Sequence, residues 1–361
     1  MNSLTFVRGL QRSTRSIGVN KQLASLCGGV AALCAVLFVT AQAADDDPLI
    51  FDDRPMTRDI EHPHWFKTSF MELGDDLLDA KRANKRGLML YFGQENCPYC
   101  EALINVNFGQ QDISEYTQRH FDLIEFDIWG SREVTDFQGN VHREHDFAAI
   151  HKTNFTPSIL FYDHEANLAL KLRGYYPPYK FRAALEYVAD GHYRKETFRD
   201  YLARADPPPK FEAGGLNEQD FFLPPPHMLD RSRIKAQRPL LVFFEQRECH
   251  ACDILHTEPI SDPEVRTLLR QFDVVQVNMW SDEPIITPDG RRLSVIEWSQ
   301  ELGLFFAPTL ITFDESGQEV IRVASVVHVY RLGRVLEYVA NRGYKTGLTY
   351  QQWHGKRAIS N

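Results

Sequence analysis

The chain has few cysteines, no excess of basic charge and only one long apolar run. Six cysteines in 361 residues are too few for a small scaffold held together by disulfides. Lysine and arginine total 40 against 49 aspartates and glutamates, a formal charge of −9. Nothing there is suited to neutralising phosphates, so no nucleic-acid partner is expected. Hydrophobic residues at 43% and charged residues at 25% are ordinary for packed domains, which excludes collagen, a coiled-coil rod and wholesale disorder.

The apolar run, Leu23–Val39, follows a stretch that carries Arg8, Arg12, Arg15 and Lys21 and no acid. Ala41-Gln42-Ala43 comes next, a small-x-small cleavage site. This is the order of a secretory signal peptide, expected to occupy residues 1–43 and to be cut after Ala43. The alternative is a retained N-terminal membrane anchor. The run is about 17 residues, the lower edge of a span, and Gly28, Gly29 and Gln42 weaken it. Leu26 and Leu33 precede Cys27 and Cys34 where a lipidation signal needs a small residue. Cleavage leaves 318 residues with a net charge of −13 and four cysteines, Cys97, Cys100, Cys249 and Cys252. All four stand in C-x-x-C pairs. In an oxidising compartment such pairs are structural disulfides or redox chemistry.

What remains is one unit written twice. Leu88–Cys100 (LMLYFGQENCPYC) aligns with Leu240–Cys252 (LLVFFEQRECHAC) at an offset of 152. Phe126-Asp127-Ile128-Trp129 aligns with Val277-Asn278-Met279-Trp280 at 151, as do Gly139 with Gly290, Pro157 with Pro308 and Asp163 with Asp314. One single-residue deletion reconciles the two. So long a period means tandem domains, not a solenoid. Pro207-Pro208-Pro209 and Pro224-Pro225-Pro226 punctuate the junction, and proline runs act as semi-rigid spacers. The expected organisation is a loose acidic leader at 44–61, a first domain at 62–204, a linker at 205–227 and a second domain at 228–361.

In the first copy Trp65–Asn84 reads as an amphipathic helix. Leu88–Phe92 is a continuous apolar run, the mark of a buried parallel strand. Cys97-Pro98-Tyr99-Cys100 opens a helix, with Pro98 in the first turn. Asp112–His120 is a helix, Asp122–Ile128 a strand and Asp146–His151 a helix. Ser158–Tyr162 and Leu168–Leu172 are joined by a short polar turn and are therefore antiparallel. Pro178–Ala189 is a helix started by its prolines. The fold class is α/β: two tandem domains, each a mixed central sheet flanked by helices.

The cysteines mark the chemistry. Cys97 at a helix N-terminus faces free N–H groups and the positive dipole end, which stabilise a thiolate. Cys100 lies one turn on. Cys97 attacks a substrate disulfide and Cys100 resolves the mixed disulfide; Cys249 and Cys252 repeat the arrangement. Strand, C-x-x-C, helix, then a proline before a later strand resembles the thioredoxin pattern, in both copies. The resemblance implies that Pro157 and Pro308 are cis and face the cysteines. It implies too that Thr156 and Ala307 offer backbone groups to a substrate strand. The run Gly87–Cys100, with Asp-Ile-Trp-Gly and Arg-Gly-Tyr-Tyr-Pro-Pro later, looks like exported SoxW-type thioredoxins of bacterial sulfur oxidation. That family's implied role is periplasmic: keeping protein thiols reduced with electrons from a membrane-embedded donor and no cofactor beyond the cysteines.

There are departures from the pattern. The buried aspartate six residues before the first cysteine is replaced by Tyr91 and Phe243, and the preceding tryptophan by Asn96 and Glu248. Glu248 opposes a thiolate at Cys249, whereas a protonated His250 would favour it. The alternative functions are a disulfide oxidase or isomerase, and a binding or chaperone module with incidental cysteines. Zinc held by all four cysteines requires pairs 149 positions apart to converge, so no metal is expected. His142, His145 and His151 read as a solvated face, because Leu293, Ile296 and Leu302 replace them in the second copy. Trp129 and Trp280 read as anchors of the core or of loops.

Overall fold

A computed structural model of the chain describes residues 47–205 and 215–360. The expected signal peptide and the middle of the expected linker lie outside the described residues. The first copy runs α1 (Leu73–Arg82), β1 (Gly87–Gly93), α2 (Pro98–Ala102) continuing into a π-helical turn at Leu103–Asn107, α3 (Gln111–His120), β2 (Phe121–Asp127), β3 (Glu133–Thr135), β4 (Val141–Arg143), α4 (Glu144–Ile150), β5 (Ser158–Asp163), β6 (Leu168–Arg173), α5 (Pro178–Ala189) and α6 (Phe198–Ala205). The second runs β7 (Leu240–Glu245), α7 (His250–Thr257), α8 (Pro263–Leu269), β8 (Asp273–Asn278), β9 (Pro284–Ile286), β10 (Arg292–Ser294), α9 (Val295–Glu301), β11 (Thr309–Phe313), β12 (Glu319–Val323), α10 (Val329–Ala340) and α11 (Tyr350–Ser360).

Each copy builds one mixed four-stranded sheet, β2-β1-β5-β6 and β12-β11-β7-β8. The central strand pairs parallel on one side, β1 with β2 and β7 with β8. It pairs antiparallel on the other, with β5 and β11. All of β1 is buried, and this double burial makes it read as an unbroken apolar run. Met89 and Tyr91 face the core under α2, while Leu88, Leu90 and Phe92 face the opposite core, the alternation a strand imposes. The two tandem domains with mixed sheets are thus as expected. The stretches 129–139 and 280–290 contribute to small hairpins, β3 with β4 and β9 with β10.

Three expectations are corrected, and the copies differ in one element. The first helix starts at Leu73, not Trp65, because Met71 sits in the left-handed region (φ 65°) and cannot continue a helix. Among the described residues the second copy has no counterpart to it, since 215–239 are not helical. Part of the expected linker is docked: Phe222 bridges to Val274 and Leu223 N–H donates to the Val274 carbonyl (2.8 Å) at the edge of β8. The leader is not loose either. Asp53 is 5% exposed and caps α10, accepting the N–H groups of Tyr330 (2.9 Å) and Arg331 (2.8 Å). Such a cap is worth about 1 kcal/mol. Phe51 packs edge-on against Tyr99 and His328, one from each copy.

The copies are packed together within one compact unit, Asp46–Asn361. The loops preceding α5 and α10 occupy equivalent positions in the repeat, and they meet. Val326 N–H donates to the Tyr175 carbonyl (3.1 Å) and the Tyr176 hydroxyl to the Ala324 carbonyl (2.6 Å). Ile254, Phe306 and Val326 of the second copy join the core beneath α2 of the first.

Candidate active sites

Both cysteine pairs lie where a buried parallel strand turns into a helix. Cys97 is the N-cap of α2, and its sulfur accepts the Cys100 N–H at 3.1 Å. Pro98, which has no N–H to lose, takes the first helical position. Cys249 caps α7 in the same way, accepting the Cys252 N–H at 3.1 Å. Each pair is a disulfide, with Cα atoms 5.2 Å and 5.1 Å apart. Thr156-Pro157 and Ala307-Pro308 are cis peptides. The structure brings each such loop to its cysteine: Thr156 Oγ1 is 3.3 Å from Cys97 Sγ, and the Ala307 carbonyl is 3.6 Å from Cys249 Sγ.

The hydroxyl of Thr156 has a direction. Trp129 Nε1–H donates to Gln94 Oε1 (2.9 Å), which fixes the amide so that Nε2–H donates to Thr156 Oγ1 (3.0 Å). With that lone pair taken, the threonine proton is free to point at Cys97 Sγ, and a hydrogen bond to the charged form favours a thiolate. In the second copy Trp280 holds Gln246 equally (3.0 Å), but Ala307 has no hydroxyl and the relay ends there. Trp129 and Trp280 are therefore loop anchors that act through a glutamine. Nothing in the sequence alone singles out Gln94 except the recurrence of Gln and Trp in both copies.

The ground beneath the helices also differs. Glu245, four residues before Cys249, is fully buried. It is paired with His256 Nε2 and Gln276 Nε2, each at 2.9 Å. Its counterpart Gly93 leaves room that Tyr91 fills; a Cβ there would lie 2.6 Å from the Tyr91 hydroxyl. Among the described residues that hydroxyl has no hydrogen-bond partner, and burial pushes its pKa far up. Asn96 and Glu248 both adopt positive φ (57° and 49°), a conformation asparagine tolerates and glutamate seldom does. His250 is exposed and paired with Asp47 of the leader. Burial raises the Asp47 pKa, but the His250 ring and the Leu49 N–H outweigh it and hold the carboxyl below its usual range.

Both sites are covered. Cys97 is 2% exposed and Cys249 8%. Over the first, Arg331 of α10 stacks on the Tyr99 ring (3.4 Å to the centroid), and its Nη2 donates to the Thr156 carbonyl at 2.7 Å. Beside the second, Leu49 of the leader lines a small cavity with Ala251, Ile254 and Pro308.

Residues 73–189 and 226–340 each match the family described as Thioredoxin-like domain. The chain belongs to that family. Among solved structures, a thioredoxin-fold protein from Helicobacter pylori is 24% identical, over 39% of this chain and 86% of its own, with a TM-score of 0.33. A thioredoxin from Thermus thermophilus is 23% identical over 34% of this chain and 92% of its own (TM-score 0.26). The C-terminal domain of Neisseria meningitidis DsbD, in its reduced form, is 18% identical over 28% of this chain and 79% of its own (TM-score 0.22). No curated protein matches significantly.

In this thioredoxin-like chain, no group of three His, Cys, Asp or Glu is gathered to hold a metal among the described residues. His142 pairs with Asp136 and His145 reaches the Gly130 carbonyl. His151 is not solvated as expected but half-buried; burial, with Lys171 nearby, pushes its pKa down to about 4. No helix among the described residues is long and apolar enough to cross a membrane.

Proposed function

We propose that the chain is a thiol–disulfide oxidoreductase working in the reducing direction. The observation that carries the exchange chemistry is the setting of Cys97 Sγ, which accepts a helix N-terminal N–H and faces the hydroxyl of Thr156; the reducing direction is supported by the SoxW-type resemblance alone. In the reduced enzyme the Cys97 thiolate attacks a substrate disulfide, forming a mixed disulfide and releasing one thiol. Cys100 then attacks Cys97 Sγ, releasing the second thiol and leaving the Cys97–Cys100 disulfide. Cys249 and Cys252 form a second exchanging pair. Thr156, Pro157, Ala307 and Pro308 are the backbone against which a substrate strand lies, and Arg331 must leave the Thr156 carbonyl for that strand to pair there. No cofactor beyond the cysteines is required.

The basic-then-apolar N-terminus supports an exported, periplasmic protein. A SoxW-type role follows: reducing disulfides of exported proteins with electrons from a membrane-embedded donor. The test is a pair of variants and a pair of potentials. Cys97→Ser abolishes insulin reduction by the first site, whereas Cys100→Ser accumulates covalent mixed disulfides. Reduction potentials near about −270 mV agree with a reductase, and values near about −120 mV mark an oxidase instead. Equal, negligible turnover by wild type and Cys97→Ser leaves only a binding module.

A further inference from the structure

Glu245 ends β7, is fully buried and stands four residues before Cys249. It reaches His256 on α7. His256 follows Cys252 by one turn of that helix, so the two side chains are neighbours on one face, with Cβ atoms about 5–6 Å apart. Both are buried.

The hydrogen bonds around the acid have directions. Arg266 Nη1, which can only donate, reaches Gln219 Oε1 (3.3 Å), so Gln219 Nε2–H donates to His256 Nδ1 (3.1 Å). The imidazole therefore carries its proton on Nε2 and gives it to Glu245 Oε1 (2.9 Å). Gln276 Nε2–H donates to Glu245 Oε2 (2.9 Å) and to the Asn217 carbonyl (2.8 Å). Both carboxyl oxygens only accept, the pattern of an ionised carboxylate. Its hydrogen-bond partners are a neutral amide and a neutral imidazole, so the second pair lies over a buried negative charge.

The first pair does not. Gly93 stands in that place and Tyr91 fills the space. The charges packed against the first pair lie side by side: Arg331 over the Tyr99 ring, and Asp53 on the Tyr99 hydroxyl and the Arg331 N–H. At the second pair His250 is matched by Asp47. Charges on the solvent side of the turns, Glu95 in the first copy and Arg247 with Glu248 in the second, are screened.

A dithiol is favoured over its disulfide in so far as one sulfur is stable as a thiolate. Cys97 and Cys249 accept the same N–H at their helix starts. A carboxylate buried beneath the second pair withdraws that advantage there, whereas the Thr156 hydroxyl adds to it at the first. We infer that the two pairs stand in a fixed order, the second the stronger reductant, and that Glu245 is the positioning residue that sets the order. This deepens the exchange chemistry proposed above and rests on it. Electrons enter at Cys249 and Cys252 and leave for substrate disulfides from Cys97 and Cys100. Between the pairs, the two second-site thiols give up two electrons and two protons as the Cys249–Cys252 bond closes. The Cys97–Cys100 bond opens and takes up both.

The experiment equilibrates the full chain with dithiothreitol buffers of stepped reduced-to-oxidised ratio. Samples are quenched in acid, free thiols are alkylated, and each pair is quantified by mass spectrometry of its peptide. The second pair is expected to need the more reducing buffers. The exchange constant between the pairs is about tenfold or more, a gap of about 30 mV. Glu245→Gln moves the second midpoint toward the first and leaves the first in place. Glu245→Asp, which keeps the charge, preserves the gap. Should Glu245→Gln not fold, iodoacetamide kinetics across pH on the reduced wild type are read instead: the Cys249 midpoint lies above that of Cys97. Coinciding or reversed redox midpoints, a second midpoint unmoved by Glu245→Gln, or equal alkylation midpoints overturn the order while exchange itself stands. Failure of both pairs to open and re-form in any buffer overturns both readings.

Discussion

A hydroxyl at position 156 separates the two sites more than their cysteines do. Both pairs share the N-cap geometry and both have a tryptophan-held glutamine nearby, but only Thr156 carries a proton toward its sulfur. A hydrogen bond to a charged acceptor is worth about 1.5–3 kcal/mol. Thr156→Ala should therefore move the pH midpoint of Cys97 alkylation upward and slow alkylation at pH 6 about tenfold. Iodoacetamide kinetics on the reduced protein, with the labelled cysteine identified by mass spectrometry, measures this. An unchanged midpoint would show that the helix terminus alone sets the thiolate. The recurrence of Gln and Trp in both copies is the only trace of this relay in the linear sequence, because Gln94 and Thr156 are 62 positions apart and Gln94 and Trp129 are 35.

Among the elements, the helix pair α10 and α11 carries a pH dependence. His354 on α11 is bonded through Nε2 to the Arg334 carbonyl of α10 (2.9 Å), and its pKa is pushed down to about 4. The unfolded chain, with an ordinary histidine pKa near 6.5, binds this proton more readily than the fold does. The stability His354 contributes is thus present above pH 6.5 and lost as the pH falls toward 4. His151 adds to the loss in the same window. Urea unfolding at pH 7 and pH 5 should differ by about 1–2 kcal/mol from His354, and His354→Gln should shrink that difference. The elements that sequence reading reached were those set by local signals. Pro177-Pro178 opens α5, and double burial marks β1. The packing of the leader is not legible because its acidic composition is local while the partners of Asp53 stand 277 and 278 positions away. The start of the first helix is illegible for a different reason: nothing in the letters announces a positive φ at Met71.

For the whole molecule, the leader and the second copy act as covers. Leu49 is 7% exposed and sits beside Pro308. Leu49→Asp places a charge in that apolar contact, at a cost of a few kcal/mol if it stays buried. The leader should lift, and a bulky maleimide should then label reduced Cys249 several-fold faster. Labelling of Cys97 should change less, because Arg331 and α10 cover it. The meeting of the equivalent loops has a consequence for how the duplicated halves recognise each other. Gly174 lies opposite Ser325, and a Cβ on Gly174 would come within 2.1 Å of the serine oxygen. One loop has kept a notch where the other has a peg. A joint of that kind is directional: two pegs collide and two notches leave a gap, so each half fits its sibling better than it fits a twin of itself.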